Sequence, residues 1–174
     1  MKQIEFFESL NNESNHRILL WPALKMTTGD VVEFGSGHGS TPFLKKYCED
    51  EGRSFKSFEN HPDWSKKTGS NLISDWNKLP LMNVDVLFID HAPGEQRKFD
   101  IIKNAHCAKI IVVHDSEKAA DHGYQMRQHI KLFKYAVEIN TLGGGAGAMM
   151  LSNHIDLIDL VGQSNNGFTI TKCD

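Results

Sequence analysis

The chain has 174 residues and a net charge of −3, with 40% hydrophobic and 24% charged residues, the composition of one ordinary globular domain. That balance gives no general attraction to nucleic acid or to acidic membranes, and no apolar run reaches the length of a membrane span. Cys48, Cys107 and Cys173 stand far apart, which indicates neither a disulfide framework nor a zinc knuckle and sets a reducing, cytoplasmic location as the expectation.

In chain order, apolar residues at 4, 6, 7 and 10 predict a short amphipathic helix, and the polar residues 11–15 a break. A second helix follows over about 16–25, kinked or restarted at Pro22. Together they would make an N-terminal helical cap over residues 1–28. Val31, Val32, Glu33 and Phe34 read as a buried strand. Gly35, Gly37 and Gly39 then alternate with Ser36 and His38, Ser40 or Thr41 can cap the next helix, and Pro42 suits its first turn. That helix turns Phe43, Leu44, Tyr47 and Cys48 to one face and stops near Gly52. A second strand over 54–59 ends at Glu59, residues 60–64 leave the sheet, and 65–71 carry a poor helical signal.

A short strand at 72–74 ends at Asp75 and Trp76. A clear one over 84–89 ends at Asp90 and His91. Residues 92–95 turn into a helix over about 97–105 that should bury Phe99, Ile101 and Ile102. The strand at 109–113 runs into His114 and Asp115, and a helix is expected over 118–133. Strands at 135–141 and 146–152 form an antiparallel edge hairpin, and residues 153–174 are weakly patterned, as for an irregular tail. Strands alternating with helices predict one doubly wound, Rossmann-like, mostly parallel sheet. Its ligand rim lies at the carboxyl ends of the strands. Glu33, Glu59, Asp75, Asp90, His91, His114 and Asp115 all gather there.

The glycine turn is not the dinucleotide pattern G-x-G-x-x-G, which would need glycine at Ser40, and no lysine follows it as a phosphate loop requires. It reads E-x-G-x-G-x-G, with a second acid, Glu59, one βαβ unit downstream. In these residues the chain resembles the class I S-adenosylmethionine-dependent methyltransferases. The runs from Val32 to Gly37, from Ser40 to Pro42, from Asp90 to Glu95 and from Val112 to Asp115 are similar to small bacterial members of that class. Val113-His114-Asp115 is also similar, locally, to the plant glucuronoxylan 4-O-methyltransferases.

The resemblance implies S-adenosylmethionine as cofactor. The turn residues Gly35, Ser36, Gly37, Gly39 and Ser40 would hold it, with Glu33 near the methionine ammonium. Glu59 and Asn60 would sit at the ribose, Asp75 and Trp76 at the adenine, and Asp90 beside the methyl group. Methyl transfer to an OH or NH group needs an oriented acceptor, excluded water and a proton acceptor. His91 or His114 suits that last task, with Asp115 beside it. Asp90, His114 and Asp115 could instead meet a divalent cation such as magnesium, although His114 departs from the acid pair that metal-assisted relatives carry. The expected acceptor is a small-molecule or glycan hydroxyl, with no nucleic-acid or membrane partner. The competing readings are a Rossmann-type NAD-dependent oxidoreductase and a cofactor-binding module without an acceptor site. His16 and five other histidines show no partner in the sequence, so structural or surface roles come first for them.

Overall fold

A computed structural model describes residues 15–141, 147–165 and 167–173. The helix expected at 4–10 lies outside them, as do all of residues 142–146. The described chain forms α1 (Arg17–Lys25), β1 (Val31–Phe34), α2 (Thr41–Asp50), β2 (Phe55–Glu59), α3 (Pro62–Thr68) and β3 (Asn71–Leu72). After a 3-10 turn at Trp76–Lys78 come β4 (Val86–Ile89), α4 (Arg97–Asn104), β5 (Ile110–His114) and α5 (Lys118–Tyr124). The chain closes with β6 (Tyr135–Thr141), β7 (Ala148–Ser152), β8 (Ser164–Asn165) and β9 (Phe168–Lys172).

These strands make one sheet in the order β3-β2-β1-β4-β5-β7-β6-β9-β8. It is parallel from β3 to β5 and antiparallel from β5 onward. The doubly wound sheet and its antiparallel edge are as expected. The edge is wider than one hairpin, because the supposed irregular tail supplies β8 and β9. Phe168, Ile170 and Lys172 alternate with Thr169 and Thr171, a strand pattern with β-branched residues, and β9 pairs with β6 from Val137↔Lys172 to Thr141↔Phe168.

Alternation along the central strands divides the core in two. Val31, Val86, Phe88, Ile110 and Val112 pack with α1 and α2 on one face. Val32, Phe34, Leu87, Ile89, Ile111 and Val113 pack with Trp76, Ile101 and Met126 on the other. The same parity, continued one or two residues, fixes where the rim residues point. Glu33 and His114 belong to the α1 face, and so does Asp90, while His91 falls to the α4 face.

Three helices differ from expectation. α3 forms where the signal was weak, because Pro62 suits a first turn and Gly69 closes the helix at φ 71°. The long helix at 118–133 breaks after Tyr124. Gln125 adopts φ 57°, and the Asp121 carboxylate accepts the Met126 and Arg127 amides at 2.6 and 2.9 Å, a local bond that competes with the helical ladder. A 3-10 segment, Arg127–Leu132, continues instead.

α4 is rotated from the expected face: Ile101 is fully buried, but Phe99 and Ile102 are 52% and 41% exposed. Its inner positions are Arg97, Asp100, Ile101 and Asn104, a helical i, i+3, i+4, i+7 stripe that is mostly polar. No helix among the described residues is long and apolar enough to cross a membrane.

The rotation of α4 predicts an asymmetry in stability. Ile101→Ala should cost about 2–4 kcal/mol by leaving a cavity, whereas Phe99→Ser should stay within about 0.5 kcal/mol. Urea unfolding of the two variants reads the difference, and equal costs would contradict this helix face.

Candidate active site

The turn between β1 and α2 is built around one obligatory glycine. Gly35 has φ +89°, and a Cβ there would stand 2.5 Å from the backbone N and Cα of His91. Only a residue without a side chain lets the turn press this closely on the end of β4. Gly37 is different: a Cβ would meet only Ser40 Oγ at 3.8 Å. The turn is tied by Thr41, whose Oγ1 accepts the Gly37 amide at 2.9 Å and donates to Glu33 Oε2 at 2.8 Å. The Gly39 carbonyl accepts Arg17 Nε from α1. Ser40 is buried but makes no side-chain cap.

The two expected cofactor acids are both engaged inside the protein. Glu59 Oε2 accepts the Ser36 amide at 2.9 Å and its hydroxyl at 3.1 Å, and Oε1 accepts the Asn60 and His61 amides, each at 2.9 Å. Glu59 thus joins the glycine turn to the end of β2 and uses its full acceptor capacity. Glu33 is fully buried, with Oε2 held by Thr41 and by Ser57 Oγ at 2.6 Å, while Oε1 has no hydrogen-bond partner among the described residues. Burial raises its pKa to about 7, the hydroxyls of Ser40, Ser57 and Thr41 pull it down, and the charge of Asp90 adds to the rise. Glu33 is sealed beneath the turn, so its expected contact with a ligand ammonium is not what this geometry offers.

Across the turn lies a dense polar cluster organised by Arg97, whose side chain is 6% exposed. Its Nε donates to the His91 carbonyl at 2.9 Å, and one terminal nitrogen donates to the His114 carbonyl at 2.9 Å and to Asp115 Oδ2 at 3.0 Å. The other terminal nitrogen meets Asp90 Oδ1 at 3.1 Å. Tyr124 lies under the guanidinium, 5.4 Å away, and its ring fills the space that a side chain on Gly94 would need. Asp115 holds φ 54°, which aspartate tolerates better than most residues.

His114 is nearly buried, with Nδ1 3.3 Å from Asp90 and 3.4 Å from Asp115 and Nε2 3.2 Å from Asn15 Oδ1. Burial pushes its pKa down, but the bond to Asp90 and the charges of Asp90 and Asp115 outweigh that and leave it raised. The His16 ring stands 4.7 Å from that of His114 and 4.9 Å from Phe88.

Other expected site residues lie elsewhere. His91 is 1% exposed, its Nε2 bonds Asp100 at 2.9 Å, and its ring stacks on Trp76 at 4.2 Å. Pleat parity sends it away from His114, so it is packed as a structural residue and reaches no acceptor. Trp76 is 3% exposed and donates to the Ala92 carbonyl at 2.9 Å, so it cannot cover an adenine ring from this position. Asn60 donates to the same carbonyl at 3.1 Å. Asp75 is half-buried and uses Oδ1 to cap its own 3-10 turn.

Sequence reasoning missed Asn15, His16, Asp100, Thr41 and Ser57. The polar stripe on α4 was a visible signal for Asp100. Nothing local marks His16, which reaches the rim only through the packing of α1.

No family model and no curated protein sequence matches the chain. Solved structures do match. A probable spermidine synthase from Corynebacterium glutamicum aligns at TM-score 0.66 and 10% identity, over 92% of this chain and 75% of that one. A precorrin-6y C5,15-methyltransferase from Geobacter metallireducens aligns at 0.54 and 15%, over 80% and 86%. A SAM-dependent O-methyltransferase from Thermotoga maritima aligns at 0.57 and 12%, over 82% and 65%. The fold is that of the class I methyltransferases. At these identities the likeness is one of fold, and the activities named for the three proteins differ.

Glu33 yields a pH test. An acid whose folded pKa is raised from 4.5 to about 7 takes up a proton on folding, so its stability contribution is full at low pH and is lost as pH rises through about 7. Glu33→Gln removes that loss. Relative to the parent, the variant should gain about 3 kcal/mol between pH 4.5 and pH 8, read by urea unfolding at both pH values. A constant difference would show that Glu33 ionises as an ordinary carboxylate.

Proposed function

We propose that the chain is an S-adenosylmethionine-dependent methyltransferase that acts on a hydroxyl of a small molecule or glycan. One observation carries the reading: the clearance at Gly35 brings the glycine turn into backbone contact with the end of β4. A cofactor lying on that turn therefore has Asp90 at its edge and His114 and Asp115 one strand away. The class I fold supports the choice of cofactor, and one structural neighbour is named as a SAM-dependent O-methyltransferase.

In this reading the turn from Gly35 to Ser40 holds the amino-acid end of the cofactor, which would compete for the Ser36 and Gly37 amides now bonded to Glu59 and Thr41. Glu59 contributes by fixing Ser36, Asn60 and His61, and ribose hydroxyls would compete for the bonds it now makes. Asp90 is the acid that a sulfonium meets, with its side chain 24% exposed. His114 takes the acceptor proton. The two aspartates orient its ring and favour the imidazolium that forms, as a general base requires. Asp115 and Arg97 position that base. The sulfonium supplies its own leaving group, so alignment and proton removal are the tasks left to the protein. A location in the cytoplasm fits this chemistry and the wide spacing of the three cysteines.

Calorimetric titration with S-adenosylmethionine, S-adenosylhomocysteine and NAD tests the cofactor. Micromolar binding of both sulfur compounds and none of NAD is expected, and NAD binding alone would overturn the reading. With an acceptor found by S-adenosylhomocysteine release, His114→Gln should lower kcat by about 10²–10⁴-fold and leave cofactor affinity within about threefold. His91→Gln should act through stability and leave the pH profile of the folded enzyme unchanged. The reverse pattern would move the base to His91.

A further inference from the structure

We propose that His16, Asp90 and His114 form a binding site for one divalent transition-metal ion of the zinc or cobalt type. One ligand atom from each residue lies within 4.8 Å of the other two. Around an ion with ligand bonds of about 2.1 Å, tetrahedral donors stand roughly 3.4 Å apart, so rotations of about an ångström would close the set. The three ligands come from three different elements. His16 precedes α1, Asp90 follows β4 and His114 ends β5.

His16 is the observation that points to a ligand. It is 2% exposed, and among the described residues neither ring nitrogen has a hydrogen-bond partner. Burying a polar group in that state costs about 1–3 kcal/mol, and a metal bond to the imidazole would offset it. The other buried imidazole pair offers a contrast. His91 and Asp100 close to 2.9 Å, whereas His114 stands 3.2 to 3.4 Å from Asn15, Asp90 and Asp115. Those separations exceed the usual 2.9–3.0 Å, so His114 sits among several groups without a tight bond to any.

Charge and access agree with a cation. Asp90 and Asp115 share one cation, Arg97, which leaves the cluster net negative. Arg97 and His114 both approach Oδ1 of Asp90, and no group among the described residues donates to Oδ2. Asp90 is also part-exposed, which leaves a coordination position open toward solvent or substrate, the arrangement of a catalytic rather than a closed structural site. Two imidazoles and one carboxylate suit zinc, cobalt or iron(II), whereas magnesium prefers an all-oxygen shell. The expected magnesium is therefore replaced by a softer ion.

Ion binding does not depend on methyl transfer. Only its consequence rests on that reading: a bound ion would acidify an acceptor hydroxyl, and His114 would act as its ligand in the loaded protein.

The test is uptake of zinc by tag-free protein stripped with a chelator, followed by calorimetry, with cobalt(II) as a visible-absorption probe. One equivalent should bind at micromolar affinity or tighter, and cobalt should give the intense bands of a low-coordinate site. His16→Gln should weaken binding at least a hundredfold, and His106→Gln, on an exposed histidine, should not. On the unaltered protein, zinc should shift two of the nine histidine rings in NMR spectra, which keeps the test valid if the His16 variant does not fold. No stoichiometric uptake, or uptake indifferent to His16→Gln, would overturn the site. Titration with S-adenosylmethionine alone reports separately on the methyltransferase reading.

Discussion

The buried guanidinium of Arg97 is the constraint on which the rim depends. Parallel pairing of β4 with β5, in the register Ile89↔Val113, sets Asp90 level with His114 and brings Asp115 one residue further along the same rim. Without a cation between them, two carboxylates at the edge of an apolar sheet would repel and would lose hydration that nothing replaces. Arg97 answers with a planar fork that binds both acids and the carbonyls of His91 and His114 at once. A lysine could not span four acceptors in that plane. The polar stripe of α4 follows from this. Arg97 must enter the core from the helix start, so Asp100 and Asn104 come inward with it, and the helix hides polar groups while Phe99 faces solvent.

How much of this was legible can be traced residue by residue. The strands β1, β2, β4 and β5 were plain, because each is a short apolar or alternating run with an acid or a histidine at or next to its end. The glycine turn was equally plain, but which glycine matters was not. Three alternate glycines look alike in sequence, and only the approach of the β4 backbone singles out Gly35. The separation of Asp90 from His91 was available in principle. Neighbours at a strand end point to opposite faces, so one of the two had to leave the rim, and Phe88 and Ile89 already indicate which.

What sequence could not give was the long-range partner. Asn15 meets His114 across 99 positions, and His16 enters because α1 packs over β4, β5 and β7. No periodicity in residues 15–25 announces that its first turn overhangs a strand end. The helix break at Gln125 was hidden for another reason. Residues 118–133 have acceptable helical composition, and one side chain, Asp121, captures two amides that the helix would otherwise use. The last strands are the opposite case, because Phe168 to Lys172 alternates but is only five residues within a stretch, 153–174, whose overall pattern is weak.

The electrostatics of the α1 face then limit what can occupy it. Asp90 and Asp115 carry two negative charges against one from Arg97, and Glu33 lies beneath the turn with a pKa near 7 that Asp90 helps to raise. A sulfonium or a metal ion beside Asp90 acts on Glu33 with the opposite sign and favours its ionised form. Two such cations together would repel by several kcal/mol at an effective dielectric constant of about 20, which nearby carboxylates would offset. Glu33, by losing its proton as they arrive, would add one more negative charge to the face. A buried acid poised near neutrality, held by hydroxyls of Ser57 and Thr41 that can donate to its anion, is a group able to do so at small cost. The buried Glu33 and the part-exposed Asp90 thus form one electrostatic unit on the same side of the sheet, joined through the turn that Gly35 makes possible.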